Sequence, residues 1–306
     1  MVVLIALIVA MPCFADGFNI GAASNFAILY EGNGGHTLQV TNVTLYGNIG
    51  IGGTGHMTDS GPSTFYAPGS TTPGTGSVYF SAGNTGQFSN NNAADKYSGP
   101  FYNTSSVTSA LNTVNALNAQ LGALSGHSIA ISGTMTINAN SGNLSTNANC
   151  LNCRVFTVTS FNTTNSNVVT INGTANQWVV INITKSINFN NQVVLTGGIT
   201  SDHVIWNMVG GANATGGPTL QINTNASSHP NQAAQGIFLD PNGPISLTNA
   251  NINGRVFGGD SHDFQFVSGT TVRQPKPTSP TPEPGSMALF GSGLLVVAGA
   301  VRRRFA

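Results

Sequence analysis

Short apolar-rich runs broken by glycine, asparagine and threonine fill most of this chain. Before residue 60 they fall at 26–29, 37–40, 43–46 and 48–51. Residues 32–35, 52–53 and the Pro/Gly/Ser/Thr stretch 61–76 read as turns or loops. From residue 128 onward the runs come densely: 128–132, 134–138, 154–161, 167–172, 177–183, 186–189 and 192–196. They continue at 203–208, 219–223, 236–239, 244–247, 251–257 and 263–267. Each is short, rich in β-branched residues and bounded by turn formers, the signature of strands. Val179–Ile181 and Val193–Leu195 are unbroken apolar triplets, which predicts burial on both faces.

One segment changes period. Val107, Leu111, Val114, Leu117, Leu121 and Leu124 fall three or four apart, which predicts a helix over about 105–124. Ser105 or Ser106 can cap its start and Gly126 can end it. Asn112, Asn115, Asn118 and Gly122 are weak helix formers, so the helix must depend on docking its leucine face.

An all-β body with one helix fits a sandwich or a β-solenoid. The solenoid is favoured. Its parallel strands stack coil on coil, and asparagine can form amide ladders at the corners. Asparagine-rich turns recur at 138–152, 162–167, 188–191, 223–231 and 249–253, without an exact period. An irregular solenoid is therefore expected.

The two ends follow other rules. Residues 2–11 are apolar, and Cys13-Phe14-Ala15 offers small residues for a cut between Ala15 and Asp16. This predicts a signal peptide over 1–15. At the other end stand Pro282, Glu283, Pro284 and Gly285, then an apolar run over 286–301, then Arg302, Arg303 and Arg304. The prolines fix φ and remove two donors, so this strip is extended and open to an enzyme. The apolar run approaches the length that spans ~30 Å of hydrocarbon, and the arginines place its end in the cytoplasm. The expected organisation is a signal peptide, an ectodomain over 16–270, a Pro/Thr-rich linker over 271–281 and a sorting signal over 282–306.

Charge is scarce, at 6% of residues. Outside the two end segments lie six basic and eight acidic residues. No basic patch for nucleic acid exists. The surface must be built from Asn, Thr, Ser and Gly, which suits glycans, ice or other copies of the chain. Cys150 and Cys153 are expected to form a local disulfide after export. Asp260, His262 and Asp263 form the best polar cluster, a weak metal candidate whose plainer reading is a capped turn. No cofactor is expected. A polysaccharide hydrolase or lyase needs paired carboxylates or a base with charge stabilisation, and the supply is poor. The expectation is a protein that is not an enzyme.

Two resemblances sharpen this. The strip Pro282–Gly285, its apolar run and Arg302–Arg304 resemble the PEP-CTERM sorting signal. That resemblance implies a membrane transpeptidase-like partner, exosortase, in a Gram-negative bacterium that makes exopolysaccharide. It also implies transient anchoring through 286–301, cleavage near the motif, and transfer to the cell surface or matrix. The body carries Ile20-Gly21-Ala22-Ala23-Ser24-Asn25-Phe26, His203-Val204-Ile205-Trp206-Asn207 and Ile252-Asn253-Gly254-Arg255-Val256-Phe257-Gly258. With these it resembles the choice-of-anchor A and ice-binding-like surface proteins. That likeness implies a right-handed parallel β-helix flanked by one α-helix. The functional expectation is a structural or adhesive protein of an exopolysaccharide matrix. Ice binding is the alternative, and it requires a flat, regular face of threonine or other small residues.

Overall fold

In the computed structural model the described residues are 18, 20–145, 153–209 and 219–275. The expected signal peptide, Cys150 and the whole sorting signal lie outside them. The chain divides into two units at Pro275, and the body described here is the first.

The body is wound in coils. The first carries β1 (Ile28–Tyr30), β2 (Thr37–Thr41) and β3 (Thr44–Tyr46), and the second β4 (Ile49–Ile51), β5 (His56–Asp59) and β6 (Thr64–Tyr66). Then come β7 (Ser77–Ser81), β8 (Phe88–Asn90) and β9 (Ser98–Thr104), which runs straight into α1 (Ser105–Gly122). After the helix follow β10 (His127–Ser132), β11 (Met135–Asn138), β12 (Asn143–Leu144), β13 (Cys153–Asn162) and β14 (Val168–Asn172). Next are β15 (Trp178–Ile183), β16 (Ile187–Phe189), β17 (Gln192–Thr196), β18 (Val204–Met208) and β19 (Leu220–Ile222). The last are β20 (Ala234–Asp240), β21 (Ile245–Thr248), β22 (Asn251–Gly258), β23 (Phe264–Val267) and β24 (Thr271–Arg273).

These strands form three faces. The first face runs β10-β13-β15-β18-β20-β22-β1-β4-β7-β9, and the second β16-β19-β21-β23-β2-β5-β8. The third is built from β11-β14-β17 and from β24-β3-β6, which joins through β22. The strand pairs are parallel except β12 with β13. The expected parallel solenoid with one flanking helix is thus observed.

Chain order and stacking order differ. β1 lies between β22 and β4, so the chain enters near the middle of the stack. It winds outward to β9, and α1 then returns along the flank to start again at β10. The helix is ~27 Å long. It packs against β7, β1, β20, β18 and β15. Coil length varies as well. The coil from Phe238 to its partner Val256 is much shorter than the coil from Ile49 to its partner Val78. Insertions at corners leave the ladder intact and erase any sequence period.

The helix docks as its pattern requires, burying Val107, Ala110, Leu111, Val114, Leu117 and Leu121. Its cap is Thr104, without a side-chain cap bond, and both serines lie inside the helix. It stops at Gly122, earlier than expected. Asn118 is buried with the leucines. Its Nδ2 donates to Asn207 Oδ1 (2.7 Å), Asn207 Nδ2 donates to Asn182 Oδ1 (2.9 Å), and Asn182 Nδ2 donates to the Leu121 carbonyl (2.8 Å). A weak helix former thus becomes a cross-link between helix and sheet.

Three expectations need correction, and two strands went unread. Thr271–Arg273 belongs to the body, not to the linker. As β24 it pairs with β22 and β3, and it buries Val272. Within the stretch read as loop, Thr64–Tyr66 forms β6, because Phe65 reaches the core. β8 and β9 were also illegible, β8 having only three residues and β9 carrying Gly99 and Pro100. Finally, Val179–Ile181 is buried on both faces under α1, but Val194 and Leu195 on uncovered β17 are only half-buried.

Asparagine abundance has a conformational cause at the corners between second and third faces. Asn225, Asn249, Ser268 and Asn42 follow successive strands of the second face, and all have φ between 49° and 58°. Asparagine tolerates this left-handed region better than most residues. Asn249 Nδ2 also donates to Asn225 Oδ1 (3.2 Å), and Ser268 interrupts the ladder.

Asp240 closes β20 fully buried, with no hydrogen-bond partner on either carboxyl oxygen. Burial raises its pKa well above the usual range, and the nearby Gly243 and Leu220 amides offset this only in part. Its folded pKa exceeds its unfolded one, so its contribution is complete in acid and is lost as pH rises through the folded value. Asp240→Asn should therefore raise the melting temperature at pH 8 and flatten its fall between pH 5 and pH 8. Scanning calorimetry at the two pH values checks this.

Candidate binding face

The first face is covered by α1 over its middle strands. The second face has no element packed over it among the described residues. Each of its strands alternates inward and outward, so its outward residues line up coil by coil. Asn188 is opposite Gln221, Gln221 opposite Ser246, and Ser246 opposite Gln265. Gln265 is opposite Gln39, Gln39 opposite Thr58, and Thr58 opposite Ser89. Seven amide or hydroxyl side chains thus form one unbroken row, roughly 29 Å long at strand spacing. Ser246 and Thr58 are half-buried, and the other five are exposed. Beneath them Leu220, Ile245, Phe264, Leu38 and Met57 are fully buried or nearly so, which fixes the backbone that presents the row.

The row itself carries no charge. Ionisable groups stand along its edge, where His36, His262 and Asp263 border an open groove of about 400 Å³ with Thr219, Gln221 and Pro244. His36 and His262 stack with centroids 6.2 Å apart. Asp263 Oδ1 accepts the Thr37 amide at 2.9 Å and lies 3.3 Å from His36 Nδ1.

The expected polar cluster does not converge. Asp260 Oδ1 accepts Asn33 Nδ2 at 2.5 Å, away from Asp263. The His262 carbonyl accepts the buried Tyr30 hydroxyl (2.9 Å), which ties the turn to the core. Burial, followed by the Asp263 charge, raises the Tyr30 pKa far above its ordinary value. The Asp260–Asp263 segment is a turn whose two carboxylates bond to Asn33 and to the Thr37 amide, not to its own amides. Among the described residues no group of three His, Cys, Asp or Glu is placed to hold a metal. Asp202 is the ion-pair partner of Arg255, a buried cation that sequence reasoning left unassigned. Cys153 is disulfide-bonded, and both other cysteines lie outside the described residues.

The third face is less even. Thr271, Thr44 and Thr64 align in register after Asn251, a short threonine row. Beside it Arg273, Tyr46 and Tyr66 align too, with the tyrosine rings stacked at 4.6 Å and Arg273 over Tyr46 at 5.0 Å. These larger groups flank the threonines. The other threonine fragments scatter. Thr136 is outward on β11, whereas Thr163 is buried and donates to Asn191 Oδ1 (2.8 Å).

The described residues thus form a parallel β-solenoid with a flanking helix and an open amide–hydroxyl face. Residues 14–267 match the profile of the ice-binding-like adhesive domain, and the chain belongs to that family. Residues 280–304 match the PEP-CTERM protein-sorting motif, which implies processing by exosortase. Together the two point to export and a place at the cell surface. Among solved structures, an ice-binding protein from the Antarctic ascomycete Antarctomyces psychrotrophicus is similar in fold. It is 17% identical over 86% of this chain and 100% of that one, with a TM-score of 0.51. An ice-binding protein domain from Shewanella frigidimarina is 15% identical over 84% of this chain and 96% of that one, with a TM-score of 0.48. No curated protein matches the chain.

Proposed function

We propose that this is an exosortase-sorted surface or matrix protein whose second face adheres to uncharged, hydroxyl-rich polymer, an exopolysaccharide by chemistry. The seven-residue row from Asn188 to Ser89 carries the reading. Its amides and hydroxyls both donate and accept, which suits sugar hydroxyls, and the absence of charge on the row removes the desolvation cost that ionised groups would add. Glycan-array binding by the full-length chain is the test. Gln39→Glu with Gln265→Glu should weaken binding at least about tenfold, as two adjacent carboxylates disrupt the row. Both positions are exposed, so stability should move by no more than about 0.5 kcal/mol each. Unchanged binding would remove this face from consideration.

The sorting tail carries the second half of the proposal. In this reading Pro282–Gly285 is the processing strip, 286–301 a transient anchor and Arg302–Arg304 the cytoplasmic stop. Deleting Arg302–Arg304 or replacing Glu283 by alanine should leave the protein in the membrane fraction of its Gram-negative host. Release at the normal level would refute it.

Ice binding is the second reading, favoured by the aligned Thr271, Thr44 and Thr64 and by the fold likeness. Thermal hysteresis of the purified protein decides it. Its absence sinks this reading and leaves adhesion standing.

A further inference from the structure

At the β8–β9 end of the stack two carboxylates meet on one residue. Asp59, at the end of β5, accepts the Ser63 hydroxyl on Oδ1 at 3.0 Å. Asp95 accepts the Ser63 backbone amide on its own Oδ1 at 2.8 Å. Asp59 is 0% exposed. The second oxygen of each, Asp59 Oδ2 and Asp95 Oδ2, is buried and has no hydrogen-bond partner, and neither has the buried Tyr97 hydroxyl. Among the described residues the ion pairs are His36–Asp263 and Arg255–Asp202, so no cationic side chain neutralises Asp59 or Asp95. Three oxygens without partners and up to two negative charges share one enclosed corner.

We propose that Asp59 and Asp95, with the Tyr97 and Ser63 hydroxyls, form a divalent-cation site of the calcium type. Calcium takes six to eight oxygen ligands in flexible geometry, with water completing the shell, and extracellular modules bind it at about 10⁻⁴–10⁻³ M. Two carboxylates and neutral hydroxyls suit that range. Burial, and then the Asp95 charge, push Asp59 up to about 7, the strain that a bound cation would relieve. Tyr97 is raised by burial and then by the Asp59 and Asp95 charges, with the Asn90 side chain offsetting part of the rise.

The site has a structural use. The Asn91 amide bonds to the Asp59 carbonyl (2.9 Å) and the Lys96 amide to the Ser63 carbonyl (2.9 Å), so the corner joins the 90–96 loop to the coil before it. A solenoid needs its terminal coils tied down. A cation here would fasten the last coil before β9 once the protein reaches a calcium-containing medium.

The experiment uses the full-length chain, with calcium chloride or a chelator, read by calorimetry and by direct titration. About 10 mM calcium should raise the melting temperature by roughly 3–10 °C, with one ion bound per chain. Magnesium should do less. In Asp59→Asn the calcium shift should vanish. In chelator this variant should melt above the wild type, because the paired charge is gone, and in calcium the order should reverse. If Asp59→Asn does not fold, Asp95→Asn, at a less buried position, is required to lose the same shift. A wild type without stoichiometric calcium binding, or a folded variant that keeps it, overturns the proposal.

Discussion

Gly254→Ala should destabilise the body by about 3–5 kcal/mol, from steric overlap together with left-handed strain. Gly254 has φ 157°, and a β-carbon there would stand 1.7 Å from the Gly236 carbonyl oxygen. The position is a corner. Asn251–Asn253 of β22 pairs with β24 on the third face, whereas Val256–Gly258 pairs with β1 on the first. Gly236 stands opposite Gly254 in register, with φ 133°, at the same bend in β20. Trp206 lies against Gly236 and donates Nε1–H to the Gln235 carbonyl at 2.9 Å, so the corner has no room to open. Gly133→Ala is the control. It too has positive φ, 62°, but nothing lies within 4 Å, and its cost should be only about 1–2 kcal/mol. Chemical denaturation of the two variants measures the difference. Equal losses would mean that backbone strain alone, and not the close approach of two coils, makes Gly254 necessary.

Asn207→Leu should cost about 3–5 kcal/mol and free the helix from the sheet. Leucine is close in size, so little is lost in packing. The loss is that Asn182 Oδ1 is stranded in an apolar interface together with one hydrogen of Asn118 Nδ2, whose other hydrogen still reaches the Met208 carbonyl at 2.9 Å, at roughly 1–3 kcal/mol for each group left unmade. Hydrogen exchange along α1 should rise ahead of exchange in β15 and β18. The exposed Asn112→Ala offers the opposite sign, a gain of about 0.5 kcal/mol from helix propensity. An asparagine on β18 and an asparagine on α1 thus have opposite effects. A double-mutant cycle of Asn118→Ala with Asn207→Ala should show coupling above about 1 kcal/mol. Additive losses would show that the relay acts as separate bonds.

The candidate face shows why the fold was easier to read than the site. Every rung of the row is an ordinary outward residue of a short strand, such as Gln39 in Thr37–Thr41 or Gln221 in Leu220–Ile222. Nothing in those local patterns separates them from other polar positions. They become a site only through register, and Gln39 meets Gln265 from the opposite end of the body's sequence. The acids show the same dependence on register. Asp260 and Asp263 are close in sequence and diverge in space, whereas Asp59 and Asp95 are far apart in sequence and converge on Ser63.

Local chemistry was enough for the sequence to determine the short strands, the leucine stripe of α1, the scarcity of charge and the address at the C-terminus. Each depends on neighbours within a few residues: alternation, 3.6-residue spacing, or two prolines around a glutamate. The entry of β1 between β22 and β4, the return of the helix along the flank and the alignment of seven polar side chains were decided by tertiary structure alone. A coil as short as Phe238 to Val256 and one as long as Ile49 to Val78 satisfy the same backbone ladder. Corner insertions therefore cost the stack little, and the sequence keeps no period from which stacking order or register could be read.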